Sequence, residues 1–153
     1  MHYSGLHLMI DAFVKPPHSL NDANSGNIVL EKIVETIGMT MILPPITVKF
    51  PHAVCEMTRV LENLEKENLK DSNTYKLIKN SLDNRKLQTY GFSTLVMIAE
   101  SHLSLHTFPE FNFLTFDAYS CKPFEFAKVK DILNSFFSFE KINIKVIKRE
   151  LPF

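Results

Sequence analysis

The chain lacks several features that would point to a class of protein at once. Its 17 basic and 17 acidic side chains cancel, so charge gives no reason to expect nucleic acid or an anionic membrane as a partner. No stretch approaches the roughly 18 to 20 apolar residues of a membrane-spanning helix, and the first residues lack the basic region and apolar core of a signal peptide. We therefore expect a soluble, cytoplasmic protein with neither kind of partner.

Cysteine is scarce, and its placement argues against the simplest cysteine-based classes. Cys55 and Cys121 are far apart, and neither belongs to a CxxC pair or to a spacing typical of a metal site. We expect both to be free thiols. The chain also has no Gly-x-Ser-x-Gly motif, the nucleophile elbow of many hydrolases, which disfavours a hydrolytic triad.

The chain does have enough apolar residues for one core, because 45% of its 153 residues are hydrophobic. Helical spacing of apolar residues predicts one helix that ends at Gly38 and a second over Phe126–Phe137. Strands are predicted at Gly5–Phe13, Ile46–Phe50, Gly91–Ile98, His102–Phe108, Phe113–Cys121 and Ile142–Ile147. These elements predict an α/β (α+β) fold, a two-layer sandwich with a mainly antiparallel sheet and helices on one face. We expect most of the 13 phenylalanines in its core.

Residues 51 to about 90 differ in character from the rest of the chain. Apolar residues and Glu/Lys pairs recur at helical spacing over Glu56–Leu69, and Asp71 or Ser72 could cap a second helix that runs through Leu82. The pattern predicts a charged helical hairpin inserted into a single domain. Such an insertion is either a surface excursion or a partner-binding and regulatory element.

Residues 100–110, Glu-Ser-His-Leu-Ser-Leu-His-Thr-Phe-Pro-Glu, concentrate a hydroxyl nucleophile, two imidazoles and two carboxylates. His102 and His106 are four residues apart, and with Glu100 they would permit a metal site, although no third ligand has a conventional spacing. Hydrogen-bonded histidines at the ends of strands are a further interpretation. The run therefore indicates a reactive centre whose chemistry the residue types alone leave open.

This run closely resembles the self-processing motif of prokaryotic S-adenosylmethionine decarboxylases, enzymes that make a pyruvoyl group from their own serine. The resemblance covers nearly the whole chain except about residues 51–90. It extends through Gly5–Leu8, Gly38–Thr40, Pro44–Pro45 and Phe116–Phe124. Residues 1–153 are thereby identified as one domain of this kind, with an insertion at about 51–90.

The resemblance implies that the chain cuts itself between Glu100 and Ser101. The Ser101 hydroxyl would attack the carbonyl of Glu100, and elimination would leave a pyruvoyl group at the start of the second fragment. This group would form a Schiff base with the amine of the substrate and take up electrons when carbon dioxide leaves. The cofactor would thus derive from Ser101, with no metal and no pyridoxal phosphate.

The same resemblance assigns roles to individual residues. His106 corresponds to the histidine of the elimination step, and Ser93 to a processing serine that helps to hold the Glu100 carbonyl. Cys121 corresponds to the cysteine that protonates the substrate carbon after decarboxylation. Glu110 corresponds to an acidic residue that binds ribose hydroxyls, and Phe50 is the candidate for stacking on adenine.

The resemblance implies an S-adenosylmethionine decarboxylase that supplies spermidine synthesis and works as a homodimer of processed αβ units. Relatives that decarboxylate ornithine or arginine could retain every processing residue, so a basic amino acid is an alternative substrate. A catalytically weak paralogue that regulates an active partner is the alternative outside enzymes. Ser101, His106 and Cys121, which are all present, argue against it.

Overall fold

A computed structural model describes residues 4–50, 52–83 and 91–150. The chain divides into two compact units, one formed by Met1–Lys49 with Tyr90–Phe153 and the other by Phe50–Thr89. The organisation as one domain with an insertion stays a prediction. Within the described parts of the chain, no helix has the length and apolar character needed to span a bilayer.

The first unit is built on a sheet of six strands. They are β1 (Ser4–Val14), β2 (Ile46–Phe50), β3 (Gly91–Ile98), β4 (Ser101–Phe108), β5 (Phe113–Ser120) and β6 (Phe139–Glu150). Their spatial order is β2-β3-β4-β5-β1-β6. The pairs β3–β4, β4–β5, β5–β1 and β1–β6 are antiparallel, so the predicted mainly antiparallel sheet is confirmed.

The described helices are α1 (Ala23–Thr36), α2 (His52–Lys66), α3 (Asn73–Asp83) and α4 (Phe126–Phe137). The two helices of the first unit, α1 and α4, cover one face of its sheet. Helices α1 and α4 pack on each other and on the sheet, where every second residue of a strand points toward them. On β4 these residues include Leu103 and Leu105, both fully buried. The two-layer sandwich is therefore confirmed.

Helix α1 ends where the sequence predicts. The N–H of Gly38 donates to Glu35 O at 3.1 Å, and the N–H of Met39 donates to Val34 O at 3.0 Å. Gly38 has φ +68°, the left-handed conformation that glycine adopts without a Cβ penalty. This arrangement is a Schellman motif, and it satisfies two carbonyls at the end of the helix.

The phenylalanines depart from expectation. Phe92, Phe116 and Phe137 are fully buried, but Phe13 is 47% exposed and Phe126 is 46% exposed. Phe13 lies on the sheet face opposite α1 and α4, and Phe126 is the first residue of its helix. Phe124, Phe136 and Phe139 are partly buried against the core. The core therefore takes up only part of the described phenylalanines, because aromatic content does not tell the two sheet faces apart.

The second unit contains the predicted helical hairpin, α2 and α3. The side chain of Ser72 accepts a hydrogen bond from the N–H of Tyr75 at 3.1 Å, which confirms the predicted cap of the second helix. Tyr75 is buried and its hydroxyl donates to Glu65 at 2.6 Å. This hydrogen bond lowers the pKa of Glu65 below its usual value.

Candidate active site

A tight hairpin joins β3 to β4 at the predicted cleavage point. Ile98 pairs with Ser101, so only Ala99 and Glu100 form the turn. Glu100 has φ +65°, a left-handed conformation that costs a residue with a side chain about 1–2 kcal/mol. The Glu100–Ser101 peptide bond therefore follows a strained residue at the end of a hairpin.

Cys121 follows the end of β5 and contacts both residues of this peptide bond. Its thiol donates to the carbonyl oxygen of Glu100 at 3.3 Å, and its backbone N–H donates to Ser101 Oγ at 3.1 Å. One residue thus holds the hydroxyl that is predicted to attack and the carbonyl that it would attack. A donor on the carbonyl oxygen stabilises the negative charge that develops there during attack.

Ser93 and His106 form a second polar pair on the sheet face opposite α1 and α4, which we call the uncovered face. They are register partners on β3 and β4, and Ser93 Oγ lies 2.7 Å from His106 Nδ1. His106 is five positions from Ser101 along β4, which corresponds to roughly 17 Å of extended strand, and Ser93 lies opposite His106 on β3. The Ser93 hydroxyl is bonded to His106, and its predicted role at the Glu100 carbonyl stays a prediction.

A cleft of about 450 Å³ surrounds the Ser93–His106 pair. Ile46, Val48 and Leu95 contribute apolar walls, and Ile46 is 60% exposed. His102 and Ser104 line the same cleft. It therefore combines an apolar surface with hydroxyl and imidazole groups.

The two histidines of the central run do not form a metal site. His102 and His106 face the same side of β4, but four residues of extended strand separate their Cα atoms by roughly 13 Å. Metal–nitrogen bonds are only about 2 Å long. No group of three or more His, Cys, Asp or Glu side chains among the described residues could hold a metal ion.

Neither of the two predicted substrate-binding residues belongs to the turn between β3 and β4. Glu110 is exposed in a short 3-10 helix, Pro109–Phe111, at the far end of β4. Phe50 is the half-buried last residue of β2 and falls in the second unit. Their contacts with a substrate stay predictions.

Sequence reasoning gave no role to Tyr119, whose hydroxyl lies 3.7 Å from the sulfur of Cys121. Register places Tyr119 between His102 of β4 and His7 of β1. His7 Nε2 is bonded to Asp117 Oδ1 at 3.0 Å. The segments around His7 and Tyr119 belong to the motifs of the resemblance, and the alternation of β5 places Tyr119 and Cys121 on one face.

Comparison with known proteins gives the family and the fold of the chain. The family model described as S-adenosylmethionine decarboxylase matches residues 54–150. The structure is similar to the crystal structure of the adenosylmethionine decarboxylase from Aquifex aeolicus VF5, with a TM-score of 0.64, 19% identity, and coverage of 97% of this chain and 92% of the other. That likeness defines the fold as the two-layer sandwich of a decarboxylase structure. Because the family model covers more than half of the residues, the chain belongs to the S-adenosylmethionine decarboxylase family.

Curated relatives match over shorter stretches. S-adenosylmethionine decarboxylase proenzyme 2 of Bacillus cereus is 46% identical over 41 residues, 27% of this chain and 33% of that protein. The S-adenosylmethionine decarboxylase proenzyme of Clostridium botulinum is 37% identical over 65 residues, 42% of this chain and 56% of that protein. The arginine decarboxylase proenzyme of Aeropyrum pernix is 55% identical over 31 residues, 20% of this chain and 24% of that protein. The matches thus span between about a quarter and just over half of these relatives.

Proposed function

We propose that the chain is the proenzyme of a pyruvoyl-dependent S-adenosylmethionine decarboxylase and cuts itself between Glu100 and Ser101. Membership in the family supports the class of reaction. The observation that carries the proposal is the position of Cys121, whose thiol and backbone N–H bond the Glu100 carbonyl and the Ser101 hydroxyl. The decarboxylated product would supply spermidine synthesis.

Self-cleavage uses groups of the chain alone. The Ser101 oxygen attacks the carbonyl carbon of Glu100, the peptide C–N bond breaks, and the hydroxyl proton passes to the nitrogen. A base then removes the α-proton of Ser101. The bond between the Ser101 Cβ and the ester oxygen breaks, and Glu100 leaves as a carboxylate. Water adds to the resulting dehydroalanine and ammonia departs, which leaves the pyruvoyl group. The strain at Glu100 favours the cleavage as a whole, because the elimination step releases that residue from the turn.

The residues around Ser101 suit decarboxylation after this cut. The pyruvoyl group would supply a carbonyl that holds the substrate amine and accepts the electrons left by carbon dioxide. We propose that Cys121 then delivers a proton to the substrate carbon. Its thiol is half-buried next to Ser101 and has the one acidic hydrogen that this step requires.

We propose further that the active form is a homodimer in which a second copy completes the site. A base must come within about 2.6–3.2 Å of the proton it removes, or act through one water. His106 is hydrogen-bonded to Ser93. Its separation from Ser101 of the same chain, five residues along β4, exceeds this reach several-fold. A Ser93–His106 pair from a partner, together with its Glu110, would supply the missing base and a ribose ligand.

The substrate is proposed from the cleft around Ser93 and His106. Its apolar walls at Ile46, Val48 and Leu95 suit a flat, partly apolar ring such as adenine. The family resemblance alone makes Phe50 the proposed residue for stacking on adenine. Arginine is the second candidate, because a stretch of the chain is similar to the arginine decarboxylase proenzyme of Aeropyrum pernix. Ornithine belongs in the same comparison as another basic amino acid.

Denaturing mass spectrometry and a carbon dioxide release assay test this function together. We expect the purified chain to give two fragments split between Glu100 and Ser101, and the Ser101→Ala chain to remain intact and inactive. The cleaved protein should release carbon dioxide from S-adenosylmethionine faster than from arginine or ornithine. A folded chain that stays whole would refute self-cleavage. Cleavage with faster release from arginine would support the second candidate.

A further inference from the structure

We propose that Tyr119 is a positioning residue that orients the thiol of Cys121. Its ring is held by Arg149 and fits into the space that Gly5 leaves because it has no side chain. The proton-donor use of that thiol rests on the proposed function. The hold on the thiol itself can be measured in a chain that neither cleaves nor decarboxylates, so the two proposals can fail separately.

The hydroxyl of Tyr119 contacts the sulfur of Cys121. Tyr119 and Cys121 are two residues apart at the end of β5 and therefore project on the same side. The sulfur lies 3.7 Å from the tyrosine hydroxyl and 3.3 Å from the carbonyl oxygen of Glu100. The thiol hydrogen thus has two oxygen acceptors. A tyrosine hydroxyl can also donate to sulfur when the thiol is ionised, and a hydrogen bond to a charged group is the stronger kind.

Neighbouring groups fix the position of the Tyr119 ring. A Cβ at Gly5 would lie 2.6 Å from the Tyr119 hydroxyl oxygen, so the ring occupies space that any other residue would fill. The guanidinium of Arg149 lies 4.6 Å from the ring centroid, within the range of a cation–π contact. The rings of His7 and His102 flank it at 6.2 and 6.0 Å. Groups from β1, β4 and β6 therefore confine one side chain.

The proposed cut would change the groups around the thiol of Cys121. Cleavage turns the Glu100 carbonyl into the carboxylate of a free chain end, which is no longer tied to Ser101. Tyr119 stays beside Cys121, because both belong to the same continuous stretch at the end of β5. The Glu100 acceptor would then be able to move away from the thiol, whereas Tyr119 would keep its place. Tyr119 would therefore remain in contact with the thiol during turnover.

Alkylation of Cys121 by iodoacetamide tests the hold directly, with peptide mapping to separate Cys121 from Cys55. The thiolate is the form that reacts, and the Tyr119 hydroxyl stabilises it. In the uncleaved Ser101→Ala chain, adding Tyr119→Phe should slow alkylation about threefold. In cleaved protein the same change should slow it more, up to about tenfold. Equal rates with and without the hydroxyl in both forms would overturn the proposal.

Two matched controls separate this effect from a general loss of structure. Tyr75→Phe makes the same chemical change in the second unit, at a hydroxyl with its own 2.6 Å hydrogen bond, and should leave Cys121 alkylation unchanged. Arg149→Met should slow alkylation about twofold through the ring, whereas Lys145→Met, on the same strand, should not. If either control slowed alkylation as much as its test variant, the specific role of Tyr119 would be rejected.

A kinetic readout connects the hold to turnover. In cleaved enzyme, Tyr119→Phe should lower kcat about tenfold and leave KM within about twofold, because the change acts on proton delivery and not on substrate binding. A rise in KM with unchanged kcat would place Tyr119 among substrate contacts and contradict the positioning role.

Discussion

The two faces of β4 differ in what their side chains contact. On the covered face Leu103 and Leu105 are fully buried beneath α1 and α4. On the uncovered face His102 is exposed and His106 is half-buried and bonded to Ser93. Because successive residues of a strand point to opposite sides, one eight-residue strand supplies part of the core and part of the candidate site. Changes on one face should therefore leave the other face largely intact.

The largest expected effect concerns the uncovered face and separates a site within one chain from a site shared by two. Ser101→Ala and His106→Ala chains should each stay uncleaved when expressed alone. Expressed together with different tags, the His106→Ala chain should be cleaved, because its Ser101 can meet His106 of the other variant. Gel analysis of the two tags gives the answer. If no tagged chain were cleaved in verified mixed dimers, the shared site would be wrong.

The next effect concerns the covered face. Leu105→Ala should lower the free energy of unfolding by about 2–5 kcal/mol, because it leaves a cavity in the core. Ser104→Ala, the neighbour on the opposite face, should change it by less than about 0.5 kcal/mol. Urea denaturation of the two variants measures the difference. A similar loss for both would show that the uncovered face also supports the fold of the isolated chain.

A pair of glycines distinguishes a steric constraint at the site from a backbone constraint away from it. Gly5→Ala should displace the ring of Tyr119, lower stability by about 1–2 kcal/mol and change the alkylation rate of Cys121. Gly38→Ala meets no atom within 4 Å but retains φ +68°, so it should lower stability by about 1–2 kcal/mol and leave alkylation unchanged. If both substitutions changed the alkylation rate of Cys121, the steric constraint at Gly5 would not be specific to the site.

The smallest effect concerns the N-terminus of α1 on the covered side. The hydroxyl of Ser25 and the N–H of Asn24 hold the pKa of Asp22 below its usual value. A lowered carboxyl pKa gives stability that is present above the unfolded value, about 3.9, and is lost as pH falls through the folded value. Asp22→Asn should therefore weaken the acid sensitivity of unfolding in this window. Thermal unfolding from pH 2.5 to 6 tests this.

Local patterns predicted most of the fold. The helix end at Gly38, the cap at Ser72 and the strands around the central run follow from residues close in sequence. The positions of the phenylalanines did not, because the choice between two sheet faces depends on where the helices pack.

The roles of the candidate site residues stay predictions, whereas their arrangement can be described. The Cys121 N–H donates to Ser101 Oγ, so two residues of the motifs lie in contact. Tyr119 gained no role from its own sequence context, because its contact with Arg149 depends on the register of strands distant in sequence. The distance between His106 and Ser101, in contrast, follows from the predicted strand His102–Phe108, which the structure extends by one residue to Ser101.

The strand order has a consequence for the two fragments that the proposed cut would produce. The first fragment would own β1, β2 and β3, and the second β4, β5 and β6. In space, β1 of the first fragment lies between β5 and β6 of the second, and β3 lies beside β4. The strands of the two fragments would thus alternate within one sheet, and three strand pairs, β3–β4, β5–β1 and β1–β6, would join the fragments by backbone hydrogen bonds. Separation of the pieces would require the sheet itself to come apart, so the mature protein would behave as one cooperative body without a covalent link.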